Sequence, residues 1–523
     1  MLKSSGAMAA ATLTSRVLGM VREMVYARFM GVGWVTDAFL LAFQIPNLFR
    51  RLLGEGALTA AFIPIFKEKE KLHGEKEMWR ASNAVISGLV IMTAVIAALM
   101  MLVITLALNA HQFPERTELM LRLLRVMFPY LLLVCLAAAL MGMLNARGHF
   151  FIPAMGAAML NVVMIASVLW LAPKFGTGLP AGERLPVEIF ALAYGVLAAG
   201  VAQAAFQVPT LWRDGFRYQW VSPWGDETVR RVMIKMIPGT IGIAAYQINV
   251  TTVQILSFWV GTGIVSSFGY AVRLMELPQG MFGISLATYL LPTLSGLAAE
   301  KNYSEFRVTL RKGLSTLIFL NLIASVLLVT LAVPIVRLLF EYGKFDAHAT
   351  QAASFALICL APGLVAFSTA NILVRAFYAL GDTMTPMKIS IACLMLNLVL
   401  AGVLVGPLRQ GGLGVANTVT SVCNVGLLLF ALRKKLGNLE MESLRKMALL
   451  LVGMTLIAGA VAFVGWQLWE NEIGHGTLAR RIGAVFIPAI VAGSLYWVAA
   501  LAFKIPEASE ILEFVTARFK RKS

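Results

Sequence analysis

Arg16, Arg22, Glu23, Asp37, Arg50, Arg51 and Glu55 stand in segments otherwise apolar enough to cross a bilayer. A charge at the centre of a membrane-crossing helix costs at least about 2.5–3.5 kcal/mol on insertion scales. Each must therefore face a partner, a water-filled cavity or a ligand. In ATLTSRVLGMVREMVYARFMG, a 3.6-residue period puts Thr12, Ser15, Arg16, Gly19, Arg22, Glu23 and Tyr26 on one side and Leu13, Val17, Met20, Met24 and Val25 on the other. The next segment, WVTDAFLLAFQIPNLFRRLLGEGALTAAFIPIF, carries Asp37, Gln44, Asn47, Arg50, Arg51 and Glu55, with Pro46 before its arginines and Gly54 and Gly56 after them. Later, Arg273 and Glu276 lie one helical turn apart before Pro278, and Arg375 and Asp382 close another helix.

Well inside the predicted spans, Arg16, Arg22, Arg50, Arg51, Arg273 and Arg375 outnumber Glu23, Asp37, Glu55 and Glu276. The polar helix faces are therefore expected to line a cavity of net positive charge. Guanidinium offers a fixed fork of donors that matches phosphate or carboxylate oxygens and stays charged at physiological pH. Such a surplus suits an anionic, phosphorylated ligand. Local ion pairing competes with that reading for Arg273 with Glu276 and Arg51 with Glu55, and Arg375, near a helix end, could snorkel to the membrane surface.

The elements that position these groups follow from composition. Of 523 residues, 59% are hydrophobic and 14% charged. The mean hydropathy of +0.79 excludes an ordinary soluble protein. Apolar stretches are predicted near 7–30, 34–66, 81–109, 119–146, 151–173, 187–212, 231–259, 263–298, 308–332, 351–380, 386–406, 412–433, 443–468 and 481–503, about fourteen helices. The start reads as a retained first helix, not a signal peptide. The net charge of +17 is concentrated at alternate helix ends, at Lys67 to Arg80, Arg213 to Lys235, Lys301 to Lys312, Arg433 to Lys446 and Arg518 to Lys522. That placement predicts a cytoplasmic face with both termini on it and anionic lipid headgroups as partner, not nucleic acid. Arg116 to Arg125 and the pair Arg480 and Arg481 break the rule.

Turn residues reveal an internal repeat. Pro129, Gly148 and Pro153 recur as Pro362, Gly381 and Pro386, shifted by 233 positions, and ALTAAFIP (57–64) is echoed by SLATYLLP (285–292), shifted by 228. The expected fold class is an all-α polytopic membrane protein with two parallel-repeat lobes of about six helices around a central cavity. The lobes are 1–213 and 229–436, followed by a helix pair at 441–505 and a basic cytoplasmic tail at 506–523.

Enzymatic chemistry finds no support. The histidines fall in predicted loops, far apart, and there is no HExxH, paired acidic diphosphate motif or Walker loop. Cys135, Cys359, Cys393 and Cys423 sit singly in apolar segments, so neither a disulfide framework nor a zinc site is expected. No cofactor or metal is expected, and any transport would draw on a gradient, the membrane potential or substrate flux.

Together, SRVLGMVRE (15–23), TDAFLLAFQIPNLFRRLLGEGAL (36–58), AVRLMELPQGMFGISLATYLLPTLS (271–295), LFEYGKFDAHAT (339–350) and FYALGDTMTPMKI (377–389) resemble the MurJ/MviN family. Those are bacterial lipid II flippases of the multidrug/oligosaccharidyl-lipid/polysaccharide exporter superfamily. The resemblance implies fourteen helices, a groove for a polyprenyl tail lined by the last two, and movement of undecaprenyl-pyrophosphate-linked disaccharide-pentapeptide to the outer leaflet of the inner membrane by alternating access. It implies substrate contacts at Arg16, Arg22, Arg50, Arg273 and Asp37, with Ser15 and Glu55 as secondary candidates, and cell-wall synthesis and division proteins as partners. The chain departs from some relatives at Val272, where they carry an acid, and in its acid-free seventh span, which makes a sodium site unexpected. Alternatives are a flippase for another polyprenyl-linked glycan, a drug/cation antiporter of the same superfamily, and a non-transporting membrane scaffold.

Overall fold

The computed structural model describes residues 2–54, 57–437, 439 and 441–520, and all regular structure among them is helical. It divides into two compact units, 1–266 and 267–523. The first holds α1 (Leu2–Met30), α2 (Trp34–Phe49), α3 (Ala57–Ala110), α4 (Glu115–Met127), α5 (Tyr130–Ala146), α6 (Phe151–Ala166), α7 (Ala172–Phe175), α8 (Ala181–Arg213) and α9 (Glu227–Val260), and α10 (Ile264–Pro278) begins at its end. The second continues with α11 (Ser285–Ala299), α12 (Tyr303–Thr330), α13 (Ala332–Phe340), α14 (Ala347–Leu360), α15 (Leu364–Ala379), α16 (Met384–Leu408), α17 (Gln410–Leu436), α18 (Glu442–Glu472), α19 (Leu478–Ala502) and α20 (Pro506–Lys520).

Among the described residues, ten helices are long and apolar enough to cross a membrane, or eleven if the bent pair α4 and α5 is one span. These match eleven of the expected stretches. The described residues of the other three, 7–30, 34–66 and 231–259, are helical, but none of the three is a separate span that meets that test, so fourteen crossings remain an expectation. The first two carry Arg16, Arg22, Glu23, Asp37, Arg50, Arg51 and Glu55, and those charges lower their apolarity.

In the first unit α1 packs on α6, α5 and α6 on α8, α3 on α5 and α9, and α2 on α4 and α9. Its core is aromatic and aliphatic, with Phe39, Phe128, Tyr130 and Leu131 almost fully enclosed. Gly200 lets α8 approach α5 closely, since a Cβ there would lie 2.8 Å from Leu133 Cβ. The second unit packs α14, α15 and α16 on α17, α12 on α15 and α18, and α18 on α19. The helix 231–259, expected to open the second lobe, packs as α9 against α2 and α3 of the first unit.

The repeat is visible in backbone detail. Each unit has a π-helical segment near a proline, Arg50–Gly54 after Pro46 and Gln279–Ile284 at the end of the helix containing Pro278. Proline lacks an amide hydrogen and displaces the carbonyl one turn back, which favours a wide turn nearby. Each unit also turns on a left-handed glycine, Gly148 at φ 87° and Gly381 at φ 73°. The closing bonds correspond one to one: the His149 amide donates to the Leu144 carbonyl and the Asp382 amide to that of Phe377, both at 2.9 Å.

Several expectations are refined. The basic tail is helical over Pro506–Lys520, and its first turn is docked on α12, with Ser315 Oγ donating to Glu507 and Lys312 Nζ to Glu510 at 2.8 Å. Three of the arginines that broke the charge rule have partners within the fold. Arg116 donates to the Trp259 carbonyl at 3.0 Å, and Arg122 pairs with Glu118. Arg481 donates to the Glu341 carbonyl at 2.9 Å, beside Arg337, which bonds Glu470 at 2.9 Å.

Candidate functional site

Folding separates the polar residues of α1. Arg16 is exposed, and among the described residues it has no hydrogen-bonding partner. Ser15 is half-buried, and its carbonyl accepts a bond from Asn161 Nδ2 on α6 at 3.2 Å. Gly19, one turn on, faces the same amide, with a built Cβ 3.8 Å from it. Asn161 thus sets how the α1 face is presented. Asn161 was not singled out from sequence, although a lone amide in the apolar run FIPAMGAAMLNVVMIA was the available signal.

Arg22 is placed differently from Arg16. Its Nη2 lies 2.5 Å from Glu23 Oε1, its guanidinium stands over the Tyr26 ring at 5.5 Å, and its Nε is buried without an acceptor. Arg22 is therefore held in a mostly enclosed pair with a neighbouring acid, where it was expected to line a cavity.

Asp37 differs most from expectation. It is 1% exposed, and its two oxygens accept the Gly263 amide at 2.6 Å and the Ser266 amide at 2.8 Å. Those amides belong to the first turn of the helix that starts at Ile264, whose leading N–H groups have no intrahelical acceptor. The carboxylate caps them and matches the positive end of the helix dipole. Both oxygens are committed, so in this conformation Asp37 is a structural cap and does not face a cavity. Gly263 permits the geometry with φ at 76°.

At the end of α2, Arg50 Nε donates to Asn47 Oδ1 at 2.7 Å, and Arg51 Nη1 to Gln247 Oε1 on α9 at 3.3 Å. Thr240 of α9 donates to the Leu52 carbonyl at 3.3 Å, inside the wide turn. Asn47 and Gln247 are amide side chains that orient the guanidinium groups. Gln247, almost fully buried, was not singled out from sequence. Glu55 lies outside the described residues.

In the second unit, Arg273 Nη1 bonds Glu276 Oε2 at 2.8 Å, with about half of each side chain exposed. This is the local pair that spacing allowed. Asp382 caps α16 through the Thr385 amide at 3.0 Å and binds Lys435 Nζ at 2.8 Å. The Lys435 ammonium, helped by the Thr385 amide, pulls its carboxyl down to about 2. Lysine pairing and capping account for Asp382.

A family model described as "Lipid II flippase MurJ" matches residues 26–483. The chain is 34% identical to the lipid II flippase MurJ of Burkholderia cenocepacia over 98% of its own length and 97% of the relative's. It is 32% identical to the probable lipid II flippase MurJ of Rhizobium tropici, covering 94% and 92%. Among solved structures it resembles a lipid II flippase MurJ in an inward closed conformation, with a TM-score of 0.75 at 22% identity over 94% of this chain and 99% of that one. It also resembles an inward-facing multidrug resistance MATE family transporter of the MOP superfamily, with a TM-score of 0.63 at 14% identity over 84% and 99%, a likeness of fold alone. The chain belongs to the lipid II flippase MurJ family.

Proposed function

We propose that this protein carries lipid II, undecaprenyl-pyrophosphoryl disaccharide-pentapeptide, from the cytoplasmic to the periplasmic leaflet of the inner membrane for cell-wall synthesis. The observation that carries the reading is a family match across 26–483, in a chain whose first unit keeps Arg16 exposed. No covalent bond changes. The work is to stabilise a pyrophosphate while it passes hydrocarbon, and guanidinium forks suit it because they cannot be deprotonated there. Arg16, Arg50 and Arg273 are the proposed contacts, each meeting the cargo at some step of an alternating-access cycle. Arg22 joins them only if its pair with Glu23 opens, and Ser15 and Glu55 are secondary. Asp37 acts through the helix it caps.

An apolar cavity of about 300 Å³ in the second unit is lined by Leu314, Ile318, Pro362, Val365, Leu429 and Leu444. Its walls come from α12, α15, α17 and α18, and it supports a place for part of a prenyl chain. We read the chain as two related lobes, 1–213 and 229–436, followed by the helix pair 441–505. The basic clusters support cytoplasmic termini and contact with anionic lipids, and cell-wall synthesis and division proteins are the proposed partners.

The test is a leaflet-accessibility assay. Vesicles containing only this protein and fluorescent lipid II should expose inner-leaflet label to an external quencher faster than protein-free vesicles. Arg16→Ala, Arg50→Ala and Arg273→Ala should slow that exposure in correctly folded protein. Wild-type protein that leaves the exposure rate unchanged refutes the proposal.

A further inference from the structure

The segment between α8 and α9, residues 214–226, has no role in the proposed transport chemistry, yet its construction is specific. One side is rooted in the first unit. Phe216 is buried and packs on Trp79 with ring centroids 5.4 Å apart. The Arg217 carbonyl accepts Asn83 Nδ2 at 3.1 Å, and Tyr218 Oη lies 3.2 Å from Ser87 Oγ. Pro223 is buried against Gly88, where a Cβ would come within 3.2 Å of Pro223 Cβ. All four anchor points fall between 79 and 88 on α3. They lie at and just inside the start of the span predicted at 81–109, so the segment folds back along the flank of a membrane-crossing helix.

The outward side is aromatic and basic. Trp220 and Trp224 are 62% and 78% exposed, and Trp212, beneath the Arg217 guanidinium at 5.8 Å, is half-exposed. Large exposed aromatic rings at this level match the amphipathic belt that tryptophan forms at a bilayer surface. The charges sort in the same sense. Asp214 is taken up by His149 at 3.0 Å, and Asp226 caps α9 and approaches Arg80 at 3.5 Å. Arg213, Arg230 and Lys235 remain exposed.

We propose that residues 212–224 are an interfacial anchor that seats Trp220 and Trp224 in the headgroup layer of an anionic leaflet, with Arg213, Arg230 and Lys235 held toward its phosphates. The anchor fixes the depth of the connection between α8 and α9. It does not depend on which cargo the protein carries. Acidic lipid strengthens it, because each nearby cation adds a screened attraction that neutral headgroups do not supply.

Spin labelling of the full chain tests it. Trp220→Cys and Trp224→Cys, with the four native cysteines replaced by Ala, carry a nitroxide in phosphatidylcholine vesicles with and without phosphatidylglycerol. Leu72→Cys, on a 70% exposed residue, and Leu102→Cys, on a 55% exposed residue within the span, give the aqueous and lipid references. Both labels should collide with oxygen more and with a water-soluble nickel chelate less than the Leu72 label, and phosphatidylglycerol should deepen them. Nickel access equal to that at Leu72 overturns the proposal and makes this a water-facing surface for a protein partner. Depth unaffected by phosphatidylglycerol overturns its electrostatic part. A second measurement keeps the native cysteines: quenching of tryptophan emission by brominated lipid should fall in a W220F/W224F double variant, and unchanged quenching counts against the anchor.

Discussion

Replacing Asp37 by Ala is expected to destabilise the first unit more than any exposed arginine variant. The carboxylate is enclosed and accepts two backbone amides, at 2.6 and 2.8 Å. Each buried amide left without an acceptor costs about 1–3 kcal/mol, so two give roughly 2–6 kcal/mol. The lower half of that range is expected, because removing the carboxylate also relieves the cost of burying it. Asp37→Asn should lose less, since its carbonyl oxygen still accepts one amide while its NH2 opposes the other. The assay is thermal unfolding in detergent, read by a thiol-reactive dye, because Cys135 and Cys393 are buried and become reactive only on opening. Binding of lipid II by each variant is measured below its melting temperature. If Asp37→Ala melts with the wild type but loses lipid II binding, the capping argument is wrong and the carboxylate meets the cargo directly.

Gly263→Ala should cost about 1–2 kcal/mol for a Cβ in the left-handed region, and more because that Cβ would lie 2.9 Å from Val32 Cγ1; a melting temperature equal to wild type would show the turn to be relaxed. Asp382→Asn should keep the α16 cap, since asparagine caps as well as aspartate, but should weaken the contact with Lys435 and remove its pH dependence. With the folded carboxyl near 2 and its ordinary value at 3.8, the wild-type contribution is complete above about 4 and fades as pH falls toward 2. Melting curves of the two proteins should therefore converge below pH 3, and a constant gap down to pH 2 would contradict the assignment. Glu470→Ala removes the acceptor bound by Arg337 at 2.9 Å and His475 at 2.5 Å. Breaking such a pair costs about 3–5 kcal/mol when fully buried, and less here because Glu341 stays 3.5 Å from Arg337. Unchanged resistance of the 473–477 turn to protease would refute it.

Charge within apolar helices was legible from sequence because the insertion penalty acts on each residue wherever it packs. That reasoning gave the membrane class and singled out Arg16, which is exposed. Proline and glycine spacing also carried the repeat, since φ constraints act locally; the wide turns at 50–54 and 279–284 lie near a proline in each unit, and the glycines at 148 and 381 are left-handed in both. Partner choice was not legible. Asp37 looked like a cavity acid until the chain returned at Gly263 and Ser266, more than two hundred residues later, with amides for both its oxygens. Arg22 could have faced the same ligand as Arg16, but six residues further along the helix it points about 120° away and stands beside Glu23 and Tyr26. Asn161 and Gln247 gave only a faint signal, because a single amide in an apolar run acquires meaning from the carbonyl or guanidinium opposite it. A residue's own chemistry sets whether it must be satisfied. Which group satisfies it depends on what packing places within hydrogen-bond reach, and only the tertiary structure decides that.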